Sequence, residues 1–429
     1  MTKTIIFKFG GASVKDADAL KNMANILRNR LRRNVVIVVS AMGKMTNLLE
    51  VILNLKLEKT DYSLSCDIFK SYHIDICKAL FPKNHRIFPV LENQFILLEK
   101  KLEGELSSEN YDEFYDDIVS FGELISSKIV MEFLCLEGLI VLWQDAREII
   151  TTNNDYRFAK IDWEKTKKNC QSDLKPRLEK FPVVTQGFIG GNESGKTTTL
   201  GREGSDFTAA ILGTCLNASS VTIWKDVPGV LNADPKRFSE TVLFNELDYK
   251  QAAEMTYYGA SVIHPKTIKP LANEGIPLFV KSFLHPDLSG TKICSIDSFT
   301  PIPTFVLKEN QVLVSFKVTD FTFIEENHIH RVYDELRRLK LRVNMLQISA
   351  ISISLVMDIQ PFNFKKLLER LRSEFEIRYN EGLELLTIIH PGKESLSSQL
   401  EGFEILLEQS TRNTVQIVRR GKSSKSSHN

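Results

Sequence analysis

Cysteine is scarce in this chain, and the scarcity removes several function classes at once. The 429 residues include six cysteines, at Cys66, Cys77, Cys135, Cys170, Cys215 and Cys294, with irregular gaps and no C-x-x-C pair. A disulfide scaffold, a zinc ribbon and a dithiol redox centre are not expected, and the thiols read as buried and reduced. The eight histidines form no H-x-x-x-H pair. His328 and His330 suit a strand or a surface loop, so no metal site held by the protein is expected. No apolar run approaches about 18 residues, so no transmembrane helix is expected. The start, Met-Thr-Lys-Thr-Ile-Ile-Phe-Lys, lacks the apolar core of roughly 7–15 residues that a signal peptide needs. A cytoplasmic protein is the resulting expectation. Neither sign of charge dominates: the net charge is +1, which gives no reason to expect nucleic acid or an anionic membrane as partner.

What is present is a glycine-rich stretch, Thr185 to Ala210, reading TQGFIGGNESGKTTTLGREGSDFTAA. An apolar run (Pro182, Val183, Val184) precedes it. A helix-like segment, Asp206 to Leu216, follows it, with Phe207, Ala210, Ile211 and Cys215 on one face. A strand that ends in a glycine-rich loop and opens a helix is a natural anion site, because backbone N–H groups and the helix N-terminus point at the ligand. Gly190, Gly195, Lys196 and Thr197 also satisfy G-x-x-x-x-G-K-T. A P-loop requires a helix to start at the Lys-Thr pair. Three threonines and then Leu-Gly-Arg-Glu-Gly make a poor helix. We read Gly191 to Ser194 as a hairpin turn between strands Val183–Ile189 and Thr197–Leu200.

Taken in order, Thr4–Phe9 reads as a strand broken by Gly10 and Gly11. Ser13 is expected to cap a helix, with Asp16 three residues on; Leu20, Met23, Ala24, Leu27 and Leu31 follow at helical spacing. Val35–Val39 is a continuous apolar strand of the kind covered on both faces, so the chain opens βαβ and a parallel sheet is expected. Residues 48–137 are helix-rich, with a loop at Asn84–Pro89. Phe121-Gly122-Glu123-Leu124 is placed where one helix starts or bends. Leu139–Leu142 reads as a strand, Asp145–Asn154 as a loop, Val221–Lys225 as a strand, Tyr249–Tyr258 and Thr267–Asn273 as helices, and Ile276–Lys281 as a strand. Prolines and serines then mark the end of a first domain and a linker. Beyond it the order is β-α-β-β-α-β, with strands Val312–Val318, Val343–Ile348, Ile351–Met357 and Leu383–Ile389 and helices His330–Leu339 and Phe362–Phe375: a ferredoxin-like plait. A second, shorter copy is expected from Leu383, ending with Ile405–Glu408 and Val415–Val418.

In open α/β sheets ligands bind at the carboxyl ends of the strands. Those ends would deliver Lys8, Gly10 and Gly11; Ser40, Gly43 and Thr46; Gly187, Arg202, Ser205 and Asp206; and Lys225 and Asp226. This set suits phosphoryl transfer, in which the protein positions groups and offsets charge. Arg202 and Asp206, four apart, could instead be a simple helix-end ion pair.

The motifs KFGGAS (Lys8 to Ser13), SAMGKMTN (Ser40 to Asn47), FGE (Phe121 to Glu123), TTTLGREGSDFTAA (Thr197 to Ala210), WKDVPGVLNADPK (Trp224 to Lys236) and YYGASVIHP (Tyr257 to Pro265) together resemble aspartate kinase. The resemblance implies an amino-acid-kinase α/β fold, with a mainly parallel sheet sandwiched by helices, over residues 1–285. It implies a linker at 286–303 and a regulatory region of ferredoxin-like ACT units at 304–429, the first about 310–382 and the second, shortened, about 383–420. The implied reaction is transfer of phosphate from ATP, with Mg²⁺ on the nucleotide, to the side-chain carboxylate of L-aspartate, the first step toward lysine, threonine and methionine. Lys8 and Asp206 would be catalytic. Arg202 would take the substrate α-carboxylate and Glu123 its ammonium, with Ser40, Thr46, Phe188 and Ser205 completing the pocket. Lys8, Gly10, Gly11, Lys225, Asp226, Leu231, Lys236 and Ser261 would bind nucleotide. The family often has lysine where Ser261 stands, an aromatic where Leu231 stands and an acidic effector position where Asn344 stands. A homodimer through the ACT region and an amino-acid effector are also implied. Alternatives are a related kinase with another carboxylate acceptor, or an ACT-type sensor with an inactive kinase domain.

Overall fold

Val35–Val39 is buried at all five positions, which a strand can be only if another strand lies on each side and helices cover both faces. It pairs in parallel with Ile5–Phe9 on one side and Val183–Gln186 on the other. In the computed structural model it lies third in an eight-stranded sheet, in the order Leu142–Gln144, Val183–Gln186, Val35–Val39, Ile5–Phe9, Ser220–Lys225, Leu278–Ser282, Thr291–Cys294 and Glu246–Asp248. The first six run parallel, and Thr291–Cys294 turns back antiparallel. The structure describes residues 3–260, 263–297, 301–319, 322–392 and 399–421. The described residues within Met1–Val230, Leu243–Ala253 and Val262–Asp297 form one compact unit, and those within Leu231–Val242, Glu254–Ser261 and Ser298–Asn429 a second.

In the first unit helix Ala17–Arg28 turns Leu20, Met23, Ala24 and Leu27 onto the core. Its cap is Asp16, whose carboxylate accepts from the Ala19 N–H at 2.8 Å; Ser13 is buried in a preceding 3₁₀ turn, not capping the helix. Residues 48–137 form helices Met45–Leu57, Ser63–Leu80, Ile87–Leu102 and Tyr111–Leu136. The last is continuous for 26 residues, so Glu123 stands mid-helix, not at a start or bend. Gly122 explains how: a Cβ there would lie 2.9 Å from the Cβ of Ala41, so only glycine lets this helix approach the loop after Val35–Val39.

The glycine-rich stretch divides differently from the sequence reading. Val183–Gln186 belongs to the large sheet, whereas Ile189–Asn192 and Thr197–Thr199 form a hairpin in a separate three-stranded sheet with Thr151–Thr152. The strand breaks at Gly187-Phe188, where Phe188 has φ +70 and its N–H donates to Thr208 Oγ1 at 3.0 Å. Part of the expected linker is strand Thr291–Cys294.

In the second unit six strands run in the order Val343–Ile348, Ser352–Asp358, Thr304–Val318, Phe375–Ile389, Thr414–Gly421 and Phe403–Ser410. Helices Glu326–Arg338 and Pro361–Leu371 bury Val332, Leu336, Leu367 and Leu371 against Val314, Phe316 and Leu355. The plait order is as expected, but its last strand starts at Phe375, where a helix end was read. Phe375-Glu-Ile-Arg alternates with period two, a strand pattern. Thr304–Val318 and Phe375–Ile389 each run 15 residues. They pair along their length, with register shifts between Lys308 and Leu313. The far half of the second of these, Glu384–Ile389, pairs on its other side with Thr414–Gly421, which in turn pairs with Phe403–Ser410. The strands expected to end the second copy thus extend the same sheet. No helix among the described residues is long and apolar enough to cross a membrane.

Candidate active site

Parallel strands place their carboxyl ends along one edge, and the chemistry gathers there. Lys8 sits in the central strand Ile5–Phe9 yet is only 7% exposed. A buried ammonium needs an anion, and Lys8 Nζ lies 2.6 Å from Asp206 Oδ1. Lys225, at the end of the neighbouring strand, reaches the other carboxylate oxygen at 3.3 Å. Asp206 occupies the first turn of helix Gly204–Cys215, where the helix dipole favours negative charge. Burial alone would raise its pKa; the Lys8 and Lys225 ammoniums outweigh burial and hold the carboxyl below its ordinary range. Asp206 therefore stays ionised and fixes both lysines. The expected alternative, an Arg202–Asp206 pair, is not formed, and among the described residues Arg202 has no ion-pair partner within 4.0 Å.

The loops beside Lys8 pack backbone on backbone. A Cβ on Gly11 would lie 2.8 Å from the Gly43 carbonyl and 2.9 Å from that of Ala41, and one on Gly10 would lie 3.3 Å from Lys8 Nζ. Gly187 leaves room for Ser205, whose Cβ an added methyl would meet at 2.4 Å. These glycines let the loops after three different strands close around one point.

Glu123 is 3% exposed. Its Oε1 accepts from the Ala41 N–H at 3.2 Å, while Oε2 is buried with no hydrogen-bond partner. Burial pushes the carboxyl up to about 8, against the pull of the Ala41 N–H and the Lys8 charge. A buried acceptor without a donor carries a desolvation penalty of about 1–3 kcal/mol, so this oxygen is poised for a cationic donor.

These groups line a cleft of about 610 Å³, within the usual range for small-ligand sites. Of the residues expected from sequence, Lys8, Gly11, Ser40, Thr46, Glu123, Phe188, Arg202, Ser205, Asp206 and Lys225 line it. Gly10 adjoins it through Lys8. Asp226 is exposed beyond Lys225 and is not in the lining. Leu231 and Lys236 fall in the second unit, and Ser261 lies outside the described residues. Four lining residues lie outside every motif read from the sequence: Glu50, Tyr115, Arg157 and Phe158. Glu50 is one turn after Thr46, so helical spacing could have found it; nothing local marks the other three. Lys196 is not in the cleft. It pairs with Glu113 at 2.5 Å at the foot of a hairpin strand, with no helix starting there, so the P-loop reading fails. No group of three or more metal-ligating side chains occurs among the described residues.

A buried carboxylate holding two lysines at the strand ends of a parallel sheet is an arrangement suited to a phosphate-handling α/β enzyme. Residues 3–282 match the model of the amino acid kinase family. Lysine-sensitive aspartokinase 3 of Escherichia coli is 32% identical over 400 residues, covering 91% of this chain and 87% of that protein. Aspartokinase 1, chloroplastic, of Arabidopsis thaliana is 32% identical over 367 residues, 83% of this chain and 63% of that protein. The crystal structure of E. coli aspartokinase III in complex with aspartate and ADP aligns with a TM-score of 0.80 at 30% identity, over 97% of this chain and 96% of that one. Aspartate kinase of Clostridium acetobutylicum shares the fold, with a TM-score of 0.79 at 21% identity. The chain belongs to the amino acid kinase family and, within it, to the aspartokinases.

Proposed function

We propose that this cleft transfers the γ-phosphoryl group of ATP to the side-chain carboxylate of L-aspartate, giving ADP and 4-phospho-L-aspartate. The observation that carries the reading is the buried Lys8–Asp206–Lys225 cluster beside the unpartnered oxygen of Glu123. One part suits a transferring phosphate and the other an α-ammonium. The acceptor carboxylate is ionised at neutral pH, so no strong base is needed. The barrier is repulsion between anions, which fixed positive charge lowers. In this reading Lys8 meets the moving phosphoryl group and Asp206 keeps Lys8 and Lys225 in place. Arg202 binds the α-carboxylate as a two-pronged donor, and Glu123 the ammonium. Ser40, Thr46, Phe188 and Ser205 shape the amino-acid end. Gly10, Gly11, Lys225 and Asp226 serve the nucleotide.

The donor set fits a Mg²⁺ carried by the nucleotide phosphates. The carboxylate beside Lys8 has both oxygens taken by ammoniums, and the ion would supply further charge neutralisation on the phosphates. We assign residues 1–285 to catalysis and 304–429 to regulation, in a cytoplasmic homodimer. The exposed edge strand Val343–Ile348, with one neighbour in the sheet, supports pairing between copies. An amino-acid effector of the second unit belongs to the same reading. The test is ADP release with ATP, Mg²⁺ and L-aspartate: aspartate-dependent turnover is expected, and its absence in folded protein would sink the proposal.

A further inference from the structure

Arg157 borders the cleft but belongs to none of the motifs that marked the site. Its backbone is in the left-handed region, with φ +66, a conformation that costs a non-glycine residue about 1 kcal/mol or more. The strain is held by tertiary contacts. The Arg157 N–H donates to the buried carboxylate of Asp116 at 2.9 Å, and the Ala159 N–H donates to the Thr199 carbonyl at 3.0 Å. The Arg157 carbonyl abuts Gly201, where an added Cβ would meet it at 3.0 Å. The segment is thereby fastened directly beside Arg202.

The side chain is equally constrained. Its guanidinium lies 4.4 Å from the ring centroid of Tyr115, and the Tyr115 hydroxyl donates to Glu50. Its ion-pair partner is Asp112 at 3.4 Å, a peripheral contact in which the side chains are 37% and 61% exposed. A guanidinium has five N–H donors, so pairing capacity remains toward the cleft. Glu50 and Thr46 share one helix face, which puts Arg157 at the amino-acid end. The two lysines of the cleft, buried Lys8 and half-buried Lys225, both pair with Asp206. A substrate with a carboxylate at each end needs positive charge at the second end as well.

We propose that Arg157 is a specificity-determining residue which, with Arg202, pairs with the α-carboxylate of the acceptor amino acid. The inference rests on the aspartate kinase reading. Steady-state kinetics of wild type, Arg157→Gln and Arg157→Lys test it, using L-aspartate and its α-amide, the amide as substrate or as competitive inhibitor. Arg157→Gln should raise KM for L-aspartate at least about tenfold, the effect of one lost charge-assisted pair, with kcat within about threefold and KM for ATP unchanged. The α-amide carries no negative charge at that end, so its KM or inhibition constant should be the same in wild type and variant. Arg157→Lys should recover part of the affinity, as a point charge without the fork. An unchanged KM for L-aspartate, or an equal fold-change for both compounds, overturns the inference while leaving the wild-type activity standing. Failure of the wild type to turn over L-aspartate overturns both.

Discussion

Replacing Glu123 by glutamine should weaken aspartate binding by an amount that depends on pH, and the dependence can be worked from the surroundings of the carboxyl. Burial sets its pKa at about 8, so at pH 7 the free enzyme holds the proton. An ammonium ligand needs the carboxylate, and ionising a group one unit below its pKa costs about 1.4 kcal/mol. The charge-assisted hydrogen bond gained is worth about 1.5–3 kcal/mol. The wild type therefore gains only about 0–1.6 kcal/mol over glutamine at pH 7, and the whole of about 1.5–3 kcal/mol at pH 9. The ratio of KM for L-aspartate between Glu123→Gln and wild type should grow roughly tenfold from pH 7 to pH 9. Calorimetric titration in two buffers of different ionisation enthalpy should show close to one proton released per aspartate at pH 7 and nearly none at pH 9. A KM ratio that is flat with pH, or binding without proton release at pH 7, would refute the reasoning.

The same carboxyl affects folding with a definite sign. Its folded pKa is raised from 4.5 to about 8, so the folded state holds the proton more tightly than the unfolded state. Its contribution is fully present below about 4.5 and is lost as pH rises through about 8. Glu123→Gln removes that slope. Chemical denaturation should find the variant at least as stable as wild type at pH 8, while it binds aspartate less well.

Four further substitutions separate the site from its surroundings. Lys8→Ala and Asp206→Asn should each lower kcat at least about 10³-fold with the far-ultraviolet circular dichroism of wild type; near-wild-type kcat in either would show the phosphate site to be elsewhere. Because the Asp206 pKa is depressed, its contribution to stability should be present above about 3.8 and lost as pH falls through its folded value. Lys196→Ala removes a pair whose side chains are 52% and 39% exposed, worth about 0–1 kcal/mol, so KM for ATP should not change; a loss of ATP binding would restore the P-loop reading. Asp116 accepts from the Arg157 N–H and from the N–H and hydroxyl of Thr199, so Asp116→Ala should cost about 2–4 kcal/mol in urea unfolding and raise KM for L-aspartate. An unaltered midpoint would show that this carboxylate does not hold the cleft wall.

Lys8 was legible because it breaks the rule of its own element: a lysine within an apolar run and before two glycines has no structural reason to be there. Arg202 and Asp206 were legible as charge where a glycine-rich turn opens a helix, Arg202 in the turn and Asp206 in the first helical turn. Glu123 breaks no local rule. A glutamate in a helix is ordinary, and its burial follows from the absence of a side chain on Gly122 and from Ala41, 82 residues away. Only the combination of motifs marked it. Arg157 had no mark at all, since its conformation is fixed by Asp116, 41 residues earlier. In the second unit the polar middle of Phe375–Ile389 looks like a turn between two short apolar runs. It remains strand because Thr304–Val318 continues opposite it through the register shifts. Local sequence reports a group that is out of place where it stands. It is silent on a group whose place is made by something far along the chain, and in this cleft the second kind supplies Glu123 and Arg157, the carboxylate and the guanidinium on which the two substrate-binding tests turn.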